Sequence, residues 1–258
     1  MDQISTTQSE KPQLQNMKLL FIGASTPECS FIARSTLEQH PQFCCPPPLD
    51  LISEQSDALQ NFDVTQPFLK EYQIAEEDYL SLFKQLIFKI LQNYPNGKYA
   101  SVLAETSHEN HLHFATLHRL FPEARFIFIL RDGRDVIISL LRDKINKGSE
   151  ITLNDITEAS ITWLNAIGNG LNNLHEISKL GAATNTIKIE SLFNSQVSDP
   201  LIIDFFNKLE IDSFSFSKNS VQQFPNWKKI LSKPQIDILI NEIGQTLNQM
   251  GYLNETSW

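Results

Sequence analysis

One stretch constrains this chain more than any other: Phe126–Leu141, reading FIFILRDGRDVIISLL. It opens on an unbroken apolar run, Phe126-Ile127-Phe128-Ile129-Leu130. A short run of aromatic and β-branched side chains suits a strand covered on both faces, as in a parallel sheet. Charge interrupts it at Arg131-Asp132-Gly133-Arg134-Asp135, and a second apolar segment, Val136 to Leu141, follows with Ser139 inside it. The pattern predicts strand, tight loop, helix. Ligands of open α/β sheets bind beyond the carboxyl ends of the strands. Arg131 stands at such an end, and Ser139 lies about two helical turns further on. A guanidinium fork with a nearby hydroxyl suits a phosphate. The same charges also read as a helix cap with local ion pairs, and spacing alone leaves both readings open.

The segment Arg131-Asp132-Gly133-Arg134-Asp135-Val136-Ile137-Ile138-Ser139 resembles the 3′-phosphate-binding motif of sulfotransferases that use 3′-phosphoadenosine-5′-phosphosulfate (PAPS). The longer stretch LFPEARFIFILRDGRDVIISLL is similar to the bacterial members of that family. The resemblance implies a three-layer α/β fold of the P-loop-NTPase-like type, with a central parallel sheet flanked by helices. It implies that Arg131 and Ser139 hold the 3′-phosphate. Sulfuryl transfer to a hydroxyl or amine of a small metabolite would be direct, with PAPS as co-substrate and without a metal.

The donor's other end falls on the first strand and its loop. Met17–Ile22 reads as a strand, Gly23–Ser30 (GASTPECS) as a loop of small residues, and Phe31–His40 as a helix stopped by Pro41. Strand, small-residue loop and helix N-terminus is a phosphate-binding layout. The family's 5′-phosphosulfate loop resembles this one only in part. Gly23 and the helix after the loop agree, but the basic residue and second glycine are missing. Gly23, Ser25, Thr26, Cys29 and Ser30 are the candidate contacts, with hydroxyls and backbone N–H groups in place of a lysine. Glu28 opposes that use, because a carboxylate near 4 Å from an anion costs roughly 1 kcal/mol in water and several in a drier site. Either Glu28 turns away, or the donor binds weakly, or the donor differs. The bland reading is an ordinary strand–helix loop.

Lys98–Ala104 reads as a further strand, with Glu105-Thr106-Ser107-His108 at its carboxyl end. The resemblance puts a lysine where Glu105 stands, a charge reversal. His108 is a candidate base, since its unperturbed pKa near 6.5 suits proton abstraction. Glu105 and Asp50 are its rivals. His111, His113 and His118 follow and read as a solvated face. Near the C-terminus, Trp227-Lys228 is similar to the family's nucleotide-closing Trp-Arg or Trp-Lys. Trp227 either stacks or packs; Lys228 either reaches the 3′-phosphate or stays in solvent. Ile189-Glu190-Ser191-Leu192 and Gly251-Tyr252 also match family segments.

Elsewhere the signals are architectural. Phe43–Asp50 is stiff and proline-rich, Ala75–Tyr94 an amphipathic helix whose apolar stripe reads as core, and Asp155–Lys179 a long helix. Thr184–Ile189 reads as a strand, Pro234–Met250 as the last helix, and Lys144–Ser149 as a polar loop or lid hinged at Gly148. Residues 1–16 read as a mobile tail and 17–258 as a single domain, a size that suits one α/β core. Acceptor specificity falls on loops, here Pro46–Gln73 and Lys144–Asn154.

The 258 residues carry 21 basic and 30 acidic side chains, a net charge of −9. That disfavours nucleic acid and anionic membranes and favours a small acceptor, a cationic one being electrostatically welcome. Three cysteines without a scaffold or zinc spacing, and no transmembrane-length run, point to a reducing cytoplasm. Monomer and homodimer remain equal expectations. Two alternatives to the enzyme stand: a sulfotransferase fold that binds nucleotide or metabolite without transfer, and a P-loop kinase. The kinase lacks its Gly-x-x-x-x-Gly-Lys-Ser/Thr loop.

Overall fold

In a computed structural model, the described residues are 18–48, 70–92, 94, 100–193, 203, 206–207, 210 and 227–253. Asp50 and the tail 1–16, both singled out above, lie outside them. Five strands form one sheet: β1 (Lys18–Ala24), β2 (Phe43–Cys44), β3 (Val102–Glu105), β4 (Arg125–Leu130) and β5 (Ala183–Lys188). Their order is β2-β3-β1-β4-β5, and every pairing is parallel, Phe21 lying beside Glu105 on one side and Phe126 on the other. The helices are α1 (Pro27–Leu37), α2 (Glu76–Gln92), α3 (Phe114–Leu120), α4 (Gly133–Leu140), α5 (Arg142–Asn146), α6 (Leu153–Lys179), α7 (Trp227–Ile230) and α8 (Lys233–Gln249). Tight 3₁₀ turns span His108–Leu112 and Ile189–Phe193.

The two-residue side-chain period of a strand sorts the core into two layers. Phe126, Phe128 and Leu130 of β4 join Phe21, Val136, Trp163 and Leu239 on one face. Ile127 and Ile129 join Leu20, Ile22, Cys29, Ala33 and Ile187 on the other. This is why the β4 run has no polar alternation: both faces are covered. Helix α6 lies close on the first layer. A Cβ at Gly133 would meet the Trp163 indole at 2.8 Å, and one at Gly170 would overlap the Phe128 ring.

Several sequence expectations shift. Helix α1 begins at Pro27 and not at Phe31, because Thr26 caps it and Pro27 occupies a first-turn position. The expected loop 144–149 begins inside α5, and Gly148 ends that turn at φ +63°. On α2, Leu82 and Leu86 are exposed while Tyr79 and Leu80 pack on the core, so its stripe is only partly buried. Trp227 and Lys228 lie in the short helix α7. Cys29, Cys44 and Cys45 are free and buried. No described helix is long and apolar enough to cross a membrane.

Candidate active site

The carboxyl ends of β1, β3 and β4 lie side by side, so the segments that leave them share one edge of the sheet. From β1 the chain passes through Ser25 and Thr26 directly into α1. Thr26 Oγ1 accepts the Cys29 N–H at 3.3 Å and donates to Cys29 Sγ at 3.1 Å. The Ser30 N–H bonds the Thr26 carbonyl at 3.2 Å, and the Ser30 hydroxyl donates to the Thr106 carbonyl. Ser25, Thr26, Cys29 and Ser30 are all buried. The loop expected over eight residues is therefore a two-residue turn whose hydroxyls are engaged within the fold. Burial raises the Cys29 thiol pKa, with the Thr26 bond and then Arg131 opposing it.

Gly23 has a packing role that the sequence did not suggest. A Cβ there would lie 2.5 Å from the His111 N and 2.7 Å from its Cβ. The glycine lets the 3₁₀ turn 108–112 lie directly on β1. His111 is buried against Phe128, ring centroids 5.4 Å apart. Its Nδ1 donates to the His108 carbonyl at 2.7 Å, and burial depresses its pKa. His113 is buried too, so the histidines expected as a wet face are in part core.

Glu105 ends β3 and is 1% exposed. Its carboxylate accepts the Ser107 N–H at 3.1 Å and the Ser107 hydroxyl at 2.6 Å, and takes a further bond from the Asn110 amide. Charge-assisted bonds of this kind make the carboxylate a brace for the turn that follows. Glu105 thus braces the turn of its own loop. His108 differs: its side chain is 35% exposed, with Nε2 3.7 Å from Glu109 Oε1.

Arg131 closes β4 and is 1% exposed. Its charge acts on Cys29 of α1 and on Asp135 of α4. Asp132 caps α4, accepting the Arg134 N–H at 2.9 Å. Both of its oxygens also hold the Arg134 guanidinium. The Asp132 N–H donates to Glu190 at 2.9 Å, and the Tyr252 hydroxyl donates to the other Glu190 oxygen at 3.1 Å. Burial pushes the Glu190 pKa up, as it does that of Tyr252. Two family-like segments far apart in sequence thus meet beneath the Arg131 loop. Trp227 is buried with the Arg134 guanidinium 5.2 Å from its ring, and Lys228 Nζ lies 5.4 Å from the same ring. Trp227 belongs to the core layer that also holds Trp163 and Leu239.

Ser139 closes the site. Its hydroxyl donates to Glu28 Oε1 at 3.0 Å and accepts from Arg142 Nη2 at 3.1 Å. Arg142 Nη1 lies 4.0 Å from the same Glu28 oxygen. Sequence reasoning flagged Glu28 as the obstacle but missed Arg142, whose one signal is a basic side chain three positions after Ser139 and which opens α5 just beyond the end of α4. Among the described residues no group of three or more His, Cys, Asp or Glu could hold a metal ion.

Residues 31–186 match the model of a sulfotransferase family. Comparison with curated protein sequences returned no match. Among solved structures, the sulfotransferase domain from the curacin biosynthetic pathway aligns with TM-score 0.53 at 20% identity, over 92% of this chain and 98% of that one. The sulfotransferase domain of the Synechococcus PCC 7002 olefin synthase aligns at 0.49 and 16% identity, over 90% and 97%. A sulfotransferase from Alicyclobacillus acidocaldarius aligns at 0.44 and 16%, over 88% and 96%. The matched residues 31–186 make up more than half of the 258-residue chain and include the Arg131–Ser139 segment; the chain belongs to the sulfotransferase family.

Proposed function

We propose that the protein transfers a sulfuryl group from PAPS to a hydroxyl or amine of a small metabolite. One observation carries the reading. The segments that the resemblance assigns to the two ends of the nucleotide are side by side, Ser139 of α4 touching Glu28 in the first turn of α1. The buried guanidinium of Arg131 acts electrostatically on both helices, through Cys29 of α1 and Asp135 of α4. That donor set fits the nucleotide's 3′-phosphate: a charged planar fork, a hydroxyl and a second arginine, Arg142, beside it. The fit at the 5′ end is thinner, since Glu105 stands in place of a lysine and the Ser30 hydroxyl is turned to Thr106.

The nucleotide supplies the activated sulfuryl group; the chain's residues orient and exclude. Arg131 and Ser139 fix the ribose phosphate, which sets where the reacting end lies. His108, partly exposed at the end of β3, takes the acceptor's proton. The expected variant result is direct. Arg131→Ala lowers the affinity for adenosine 3′,5′-bisphosphate at least tenfold in calorimetry, and an unchanged Kd overturns the assignment.

The buried, internally bonded Glu105 favours a second reading, a fold that binds the nucleotide without transferring from it. Sulfur-labelled PAPS with a panel of alcohols and amines separates the two. Labelled product supports transfer, and binding without turnover supports the second reading.

A further inference from the structure

Ser139 has one proton to donate, and the structure shows where it goes. The hydroxyl donates to Glu28 Oε1 at 3.0 Å while its own oxygen accepts from Arg142. A phosphate bound at Ser139 needs that same proton, because phosphate oxygens accept and do not donate at neutral pH. The Glu28 carboxylate and a phosphate are therefore exclusive partners of this hydroxyl. They are also competitors for one cation, since Arg142 lies 4.0 Å from Glu28.

We propose that Glu28 is an internal stand-in for the nucleotide's 3′-phosphate and that Arg142 is the residue which changes partner when the phosphate arrives. The inference rests on the reading of Ser139 as a 3′-phosphate ligand. It goes beyond that reading by assigning roles to two residues that the motif does not contain. Three features of the contact support an exchange. The carboxylate and the guanidinium are half-exposed, with side-chain exposures of 36% and 42%. A pair at 4.0 Å in that setting holds weakly, so it can open without loss of the fold. Glu28 lies in the first turn of α1, and only its side chain must rotate for the site to clear. A dianionic phosphate beside Arg142 then replaces a single carboxylate, with more charge and more acceptor atoms. In effect the chain imposes a threshold on its nucleotide: only a ligand with a 3′-phosphate displaces Glu28 and recruits Arg142.

The test compares adenosine 3′,5′-bisphosphate with adenosine 5′-monophosphate, which differ by that phosphate alone, by calorimetry on the full chain. Glu28→Gln is expected to tighten the bisphosphate about tenfold and leave the monophosphate within twofold. Glu28→Asp keeps the charge but shortens the reach to Ser139, and is expected to gain most of the same affinity. Arg142→Ala is expected to weaken the bisphosphate about tenfold with the monophosphate unchanged. Circular dichroism of each variant confirms folding. Bisphosphate binding that is equal in the native chain and Glu28→Gln overturns the inference while leaving the 3′-phosphate site intact. So does a gain shared equally by both nucleotides, or a Glu28→Asp variant that behaves as the native chain. Bisphosphate binding by neither the native chain nor Glu28→Gln at millimolar concentration overturns the inference together with the reading beneath it.

Discussion

Glu105 shows how a residue that sequence offers as a candidate base also braces the fold. Its carboxylate serves the Ser107 N–H, the Ser107 hydroxyl and Asn110. Replacing it by glutamine keeps the shape but halves the acceptor set and leaves an amide N–H₂ facing donors. Glu105→Gln is expected to destabilise the fold by about 1–3 kcal/mol, read from urea unfolding. His108 gives the opposite expectation. Its side chain is partly exposed and its contact with Glu109 is loose, so His108→Gln leaves the urea midpoint unchanged. If it takes the acceptor's proton, the same variant lowers kcat by about 10²–10⁴ with bisphosphate affinity intact. An unchanged kcat moves the base elsewhere. Sequence made both residues visible as candidates, because each follows a strand that ends in a polar cluster. Which was the brace could not be read there. That depends on Asn110 folding back within the 3₁₀ turn and on Gly23 admitting His111 across the strand.

Among the elements, β4 and α4 were the most legible, since a run buried on both faces followed by a charged turn has few other solutions. The start of α1 was misplaced by four residues even though its signals, Thr26 as cap and Pro27 in the first turn, are local. The small-residue composition of 23–30 outweighed them. The Glu28–Ser139 contact was illegible for a different reason: it joins positions 111 apart, and only the docking of α1 beside α4 creates it. Helix α6 carries its own prediction. Gly170 lets it rest on the Phe128 ring, where a methyl group has no room. Gly170→Ala is expected to cost about 1–3 kcal/mol despite its better helix propensity, measured by denaturant unfolding. Adding Phe128→Leu recovers part of that loss.

For the molecule as a whole, the surplus of acid shapes the pH response. Asp135 is pushed up from 3.8 to about 6, chiefly by burial and then by the neighbouring Asp132. A raised carboxyl pKa means the folded state holds a proton that the unfolded state has released. Its stabilising share is full below about pH 4 and is lost as pH rises through about 6. Glu190, raised by burial, acts in the same direction. Asp135→Asn is therefore expected to flatten the fall in stability between pH 4 and pH 6.5, seen as a smaller change in urea midpoint across that window. An unaltered slope would place the titrating proton on another group.

The order of the sheet has a consequence for biosynthesis. Strand β1 is made first, yet its two neighbours are β3, from residue 102, and β4, from residue 125. One edge of β1 stays open until residues 102–105 have left the ribosome, and the other until residues 125–129 have. Such late, long-range closure makes for slow assembly and a long exposure of the apolar Leu19–Ala24 stretch. A nascent chain whose emerged part stops short of residue 100 should thus be a better client for chaperones than one whose emerged part extends past residue 130.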